Sequence, residues 1–212
     1  MPTSSRTRRA GGTKRLAVLD AVIDVLTDRG YEATRFADVS AASGAAVSTL
    51  QNYFGSREDM LIEALQRATD QEMTSLEAVA AAQPGPWDTL VALADRSLDS
   101  SERTQQLLIE FWRSAMRDKE LRAHSDQVQA RYRAPFLNAV LQGTAQGTFH
   151  PAHGPDEITD FLLAALAGIM IPRILHQPLA ARDAFRSLFL DQLATALGRQ
   201  PSGEEKRGMK SH

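Results

Sequence analysis

Apolar residues return at helical spacing along nearly the whole chain, and strand-type alternation is almost absent. Leu16, Leu19, Ile23 and Leu26 recur every three or four residues while Asp20, Asp24 and Asp28 step along another face. This pattern predicts an amphipathic helix over 14–29 that stops at Gly30, with the aspartates as a solvated face. Thr34 is placed to cap a short second helix with Phe36 and Val39 pointing inward, and "SG" at 43–44 turns the chain. In the stretch that follows, "AVSTLQNYF", Val47, Leu50 and Phe54 fall at i, i+3 and i+7 as a buried stripe. Ser48, Thr49, Gln51, Asn52 and Tyr53 are then left facing outward. Ser56 with Asp59 three residues later reads as a capping-box variant opening a long fourth helix that carries Met60, Leu61, Ala64, Leu65 and Ala68 and ends at "QPGP", 83–86. Further helices are predicted over 88–98, 102–117, 119–142, 156–176 and 181–197. Pro135 and Pro172 are expected to kink or split theirs, since proline lacks an N–H and crowds the preceding turn.

The fold class is therefore all-α: a three-helix N-terminal domain joined by a long fourth helix to a larger helical domain. The expected boundaries are a flexible basic arm at 1–13, a helix-turn-helix domain at 14–55, a helical domain at 56–198 and a flexible polar tail at 199–212. With 212 residues, 43% of them hydrophobic, the chain can bury one sizeable core, or one core and a small appended unit. The absence of cysteine removes disulfides, thiolate metal sites and cysteine nucleophiles and fits a reducing compartment. The longest strongly apolar run, "FLLAALAGIMIP" at 161–172, is shorter than the roughly 20 residues needed to span a bilayer, so it is expected as a buried or subunit-facing helix. Arg8-Arg9 is not followed by an apolar signal segment, because Asp20 and Asp24 interrupt it, and a cytoplasmic location is expected.

The net charge of −2 hides an uneven distribution. Every charged side chain among the first fifteen residues is positive: Arg6, Arg8, Arg9, Lys14 and Arg15. Such an arm attracts phosphate, although a solubilising tail has the same composition. It stands next to two short helices joined by a glycine turn and preceded by a third helix, the helix-turn-helix arrangement. The second helix of that unit enters the DNA major groove, where Gln and Asn amides pair with adenine N6 and N7 and Ser or Thr hydroxyls bond base edges. This gives the uncharged polar face of residues 48–53 a use.

The stretch "GYEATRFADVSAASGAAVSTLQNYFGSREDML" at 30–61 resembles the N-terminal domain of TetR-type transcriptional regulators. It keeps Gly30, Tyr31, Thr34, Gly44, Leu50, Tyr53, Phe54, Ser56 and Glu58 of that pattern, with Arg57 in the lysine place. The remaining helices resemble the family only in number, length and order. The resemblance implies a homodimer that binds double-stranded, approximately palindromic operator DNA. It also implies that a small-molecule effector in the ligand-binding and dimerisation domain, 56–198, releases the DNA. By position it assigns Thr34, Arg35, Tyr53 and Arg57 to phosphates and Ser48, Thr49, Gln51 and Asn52 to base edges or nearby backbone, with Arg8, Arg9 and Lys14 contributed by the arm. Three departures stand out. Ala45-Ala46 replaces Val-Ser and loses a Ser N-cap, a change of about 0.5–2 kcal/mol in local stability. Gln51 stands where an aromatic is usual, and Arg35 where a second Thr is.

In the second domain "LLIEFWRSAM" sets Leu108, Phe111, Trp112, Ala115 and Met116 on one broad apolar face, with Tyr132, Phe136, Phe161 and Met170 on neighbouring helices. The candidate effector-lining residues are Phe111, Trp112, Met116, Tyr132, Phe136, Met170 and Arg173, each aromatic among them being equally readable as core. Arg173 and His176 suit an anionic or polar ligand group or a subunit boundary. The small-residue "AALAG" helix, with Gly168, and the last helix, with Leu193, are the expected dimer interface. An enzyme is the rival class: His150, His153, Asp156 and Glu157 have ligand-like types but lie in a Gly/Pro-rich turn, and no P-loop, dinucleotide fingerprint or nucleophile elbow is present. No catalysis, metal or cofactor is expected. A helical protein-interaction module without DNA binding is the second alternative, because residues 47–54 contain no Arg or Lys; salt-dependent binding to duplex DNA separates it from a regulator.

Overall fold

A computed structural model describes residues 12–199. They form ten helices and, among the described residues, no strand: α1 (Thr13–Arg29), α2 (Phe36–Ser43), α3 (Val47–Phe54), α4 (Arg57–Ala81), α5 (Pro86–Leu98), α6 (Glu102–Ala115), α7 (Lys119–Ala145), α8 (Pro155–Gly168), α9 (Met170–Ile174) and α10 (Arg182–Ala196). The all-α expectation holds. No described helix is long and apolar enough to cross a membrane.

The helices gather in two compact units. One comprises the described residues up to Glu72 together with Gln106–Asp126, and the other comprises Met73–Gln105 together with the described residues from Gln127 on. This division differs from the boundary expected at 55/56. Hydrogen bonds far apart in sequence bring the end of α6 and the start of α7 to the first helices: Glu110 accepts from the Tyr31 N–H, Gln66 donates to Glu120, and His124 meets the Thr69 hydroxyl at 2.9 Å. Helices α4, α6 and α7 each run continuously from one unit into the other.

In the first unit α1 buries Val18, Leu19, Val22, Val25 and Leu26, whereas Leu16 is 41% exposed. The buried stripe thus lies to one side of the expected one, because it continues through Arg15, whose stem and guanidinium are drawn inward. Helix α2 starts one residue later than expected: its N-cap is Arg35, whose N–H donates to the Asp38 carboxylate at 2.9 Å. Thr34 is instead fully buried, its hydroxyl donating to the Gly30 carbonyl. At the start of α4, Ser56 does act as expected, its Oγ accepting from the Asp59 N–H and donating to the Asp59 carboxylate.

The second unit packs Leu90, Leu93 and Leu98 of α5, Phe136 and Val140 of α7, Ile158, Leu162 and Leu166 of α8 and Phe189 and Leu193 of α10 into one core. Pro86 begins α5 at a position where the missing N–H costs nothing. Pro135 does not split its helix: α7 passes through it, because Val128 before it and Phe136, Ala139 and Val140 after it are buried and hold both arms in place. The helix expected over 156–176 is divided, but at Ile169, ahead of Pro172, which lies inside α9. The α7–α8 connection is anchored by Phe149, whose ring sits so close to α7 that a β-carbon at Gly143 would stand 2.1 Å from it. Leu193, expected to face a partner subunit, belongs to this core instead, while Phe161 and Leu188 project from α8 and α10 at 61% and 59% exposure.

Candidate nucleic-acid interface

Two local devices present α3. The turn before it uses Gly44 in the left-handed region (φ 71°, ψ 2°), which closes α2 through its N–H to the Ser40 carbonyl. Ser43 reinforces the turn, its hydroxyl donating to the Val39 carbonyl and accepting from the Ala45 N–H. No side chain caps α3, as the Ala45-Ala46 departure implies; its first turn is closed by the Ala46 carbonyl, which accepts from the Thr49 and Leu50 N–H groups. From beneath, Leu50 and Phe54 are buried and fix the rotation of the helix. Val47 is not part of that stripe: standing at the first helical position, it remains 37% exposed.

Ser48, Gln51 and Asn52 are exposed, and Thr49 and Tyr53 are half-buried. They therefore share one uncharged, hydrogen-bonding surface on α3, as the periodicity predicts. The Tyr53 ring meets Phe54 edge to face at 6.1 Å, which ties it to the core side of the helix. Lys14 is exposed near the start of α1; Arg8 and Arg9 lie outside the described residues.

Two cations, Arg15 and Arg57, serve the scaffold rather than the surface. Arg15, grouped by sequence with the basic arm, is buried: it forms a two-pronged ion pair with Glu63, donates to the Tyr53 carbonyl at 3.5 Å and lies over the Phe54 ring at 4.8 Å. Arg57, assigned to phosphate, donates from Nε to the Thr34 carbonyl at 2.6 Å and from Nη2 to the Tyr31 carbonyl, with its guanidinium 5.4 Å from the Tyr31 ring. These carbonyls of the α1–α2 turn have no helical partner, which is why the guanidinium is held there. Arg35 is exposed and bonds the Glu32 and Thr34 carbonyls. Of the four residues assigned to phosphate, Thr34 and Arg57 are thus turned inward, and Arg35 and Tyr53 keep surface. Burial raises the Tyr31 hydroxyl pKa against the opposing pull of Arg57, and Glu58 is held below the usual carboxylate range by its own backbone N–H and by Arg57. Sequence reasoning missed Glu63 and Glu110; the available signal was Arg15 standing one turn before Val18 and Leu19 on the buried flank.

The seven residues expected to line an effector cavity do not come together in either unit. Phe111, Trp112 and Met116 fall in the first, and Tyr132, Phe136, Met170 and Arg173 in the second. Phe111 and Phe136 are fully buried as core, whereas Met116 is 69% exposed and Trp112 also reaches solvent. Tyr132 packs on Phe136 and shares a hydrogen bond with Ser97, and Arg173 donates to the Leu98 carbonyl. A small polar pocket of about 180 Å³ exists in the first unit, lined by Tyr31, Glu32, Arg113, Ser114, Arg117 and Asp118, none of them among the seven.

The family model for the N-terminal region of bacterial regulatory proteins of the tetR family matches residues 18–64, which contain α2 and α3. A second model, of the BetI-type transcriptional repressor C-terminal region, matches residues 86–198, more than half of the chain. The chain belongs to the TetR family. It is 24% identical to the HTH-type transcriptional regulator BetI of Rhizobium meliloti over 195 residues, covering 90% of this chain and 93% of that one. It is also 24% identical to the HTH-type transcriptional repressor KstR2 of Mycolicibacterium smegmatis, over 71% of this chain and 74% of that one. Among solved structures, a transcriptional regulator from Saccharomonospora viridis in complex with choline superposes with a TM-score of 0.76 at 21% identity, over 85% of this chain and 95% of that one. FadR of Bacillus subtilis in complex with stearoyl-CoA superposes at 0.69 and 15% identity, over 85% and 98%. As a TetR-family member, the chain is a DNA-binding transcriptional regulator.

Proposed function

We propose that the protein is a homodimeric repressor that grips an approximately palindromic operator through α3 and lets go when a small molecule occupies the helical region matched at 86–198. The observation that carries this reading is the α3 face itself: Ser48, Gln51 and Asn52 stand exposed on a helix whose orientation Leu50 and Phe54 fix, directly after the Gly44 turn. Uncharged amides and hydroxyls held on a rigid helix suit base edges, where direction matters more than charge. Tyr53, Arg35, Lys14 and the arm with Arg8 and Arg9 supply the phosphate contacts in this reading, and Thr34 and Arg57 support the turn that carries them. A single head covers one short half-site, so two heads joined through the exposed faces of α8 and α10 read a two-fold site. The proteins of this fold named above hold ligands as different as choline and stearoyl-CoA, so the effector of this chain is best sought by screening.

The test is selection of bound duplexes from a random pool, followed by competition titrations against duplexes changed one base pair at a time. Gln51→Ala should relax preference at one base pair, by about 1–3 kcal/mol for a bidentate amide. Tyr53→Phe should instead weaken all duplexes alike. Equal loss by Gln51→Ala on every duplex would remove base reading from that amide. No salt-dependent duplex binding at all would leave a protein-interaction module.

A further inference from the structure

Spacing alone puts Val47 in the buried stripe of α3, yet it is 37% exposed while Leu50 and Phe54 of the same stripe are buried. Its place at the first helical position explains the difference. Side chains on a helix lean back toward the N-terminus, so Val47 overhangs the end of the stripe instead of lying over it. The three residues before it are Gly44, Ala45 and Ala46, none with more than a methyl group, and Ala46 is itself exposed. Val47 is therefore the first sizeable side chain at the leading end of α3, and nothing longer stands in front of it. Gln51 follows it by four residues, on the same side of the helix and one turn, about 5.4 Å, further on. Next to it around the helix stands Ser48, also exposed. The exposed leading end of α3 thus carries hydrogen-bonding groups at Ser48, Gln51 and Asn52 and one branched apolar group. That group is stiff, because a β-branched side chain keeps one strongly preferred rotamer in a helix. In the major groove the four bases offer one apolar feature, the 5-methyl of thymine, and the N-terminal residues of such a helix are the ones that meet base edges.

We propose that Val47 is a specificity-determining residue: its methyl groups pack on the 5-methyl of a thymine in the operator, within two base pairs of the one that Gln51 reads. The proposal rests on the DNA-reading role of α3. The spacing follows from the rise of one helical turn set against base pairs about 3.4 Å apart. A thymine recognised in this way is selected without a hydrogen bond, by the removal of two apolar surfaces from water.

The experiment uses the full chain and a duplex that the wild-type protein has selected from a random pool. Each thymine of that duplex is replaced in turn by deoxyuridine, which keeps every hydrogen-bonding group and loses only the methyl. At one thymine of a half-site the replacement should weaken the wild-type protein about fourfold, the value of one buried methyl-sized group. Val47→Ala should bind the thymine and deoxyuridine duplexes equally well at that position. Each comparison is made within one protein, so an effect of the substitution on the stability of α3 cancels. If no thymine is sensitive in the wild-type protein, or if the sensitive one stays so in Val47→Ala, the proposal is overturned while base reading by the polar face of α3 stands. A Val47-dependent thymine more than two base pairs from the position relaxed by Gln51→Ala also overturns it. Loss of all duplex binding by Val47→Ala would mark a structural role and overturns it as well. Failure of the wild-type protein to select any duplex overturns the DNA-reading role of α3 and the proposal together.

Discussion

Replacing Arg15 with Met tests whether this residue serves the scaffold or the DNA. The two side chains of its ion pair are 9% and 22% exposed, and the guanidinium also lies over Phe54, the residue that anchors the end of α3. Met fills much of the volume but leaves the Glu63 carboxylate without its two donors in a site that water reaches only in part. Removing one partner of a fully buried pair costs about 3–5 kcal/mol; the residual exposure of Glu63 and its screening by solvent bring the expected loss to about 2–3 kcal/mol. The double variant Arg15→Met/Glu63→Leu, which removes the stranded charge, should recover to within about 1 kcal/mol of the parent. Urea unfolding followed by circular dichroism, completed as a double-mutant cycle, measures these differences. A parallel titration of duplex binding against salt separates the two roles: if Arg15 neutralised a phosphate, its removal would flatten the slope by about 0.9. Unchanged stability together with a flattened slope would refute the scaffold role argued from the structure.

Asp95 of α5 accepts two hydrogen bonds from Arg186 of α10, and this interaction, followed by the Coulomb attraction of Arg186 and Arg182, lowers its pKa against the opposing effect of burial. A depressed carboxylate stabilises the fold above its unfolded pKa, about 3.9, and loses that contribution as pH falls through the folded value. Asp95→Asn should therefore cost stability by about 1 kcal/mol at pH 7, with the difference from wild type shrinking below about pH 4; thermal melts across the acid range check it, and a constant difference refutes it. Phe161→Glu, at an exposed position on α8, should weaken dimers and operator binding together while leaving the monomer folded, whereas unchanged mass in sedimentation would move the interface elsewhere.

Sequence periodicity alone determined the all-helical class, the order of the long elements, the Gly44 turn and the polar face of α3. These are local properties: 3.6-residue spacing, a glycine able to adopt positive φ and a Ser–Asp pair at a helix start depend on near neighbours, and Leu50 and Phe54 mark the buried side of α3 from within eight residues. What only the tertiary structure decided concerns long side chains and the ends of elements, where partners come from far along the chain. Arg57 looks by sequence like any cation beside a recognition helix, yet two carbonyls of the α1–α2 turn claim it. Thr34 looks like a cap and is buried against Gly30. Arg15 belongs by sequence to a basic arm and by packing to Glu63 and Phe54. Pro135 should break a helix by its own chemistry, but buried residues on both sides keep α7 continuous. Phe111 and Phe136 carry the same apolar signature whether they line a cavity or fill a core, and only the neighbours that surround them made each one core. A guanidinium carries its charge in either setting; the geometry of distant acceptors determines whether that charge meets phosphate or backbone.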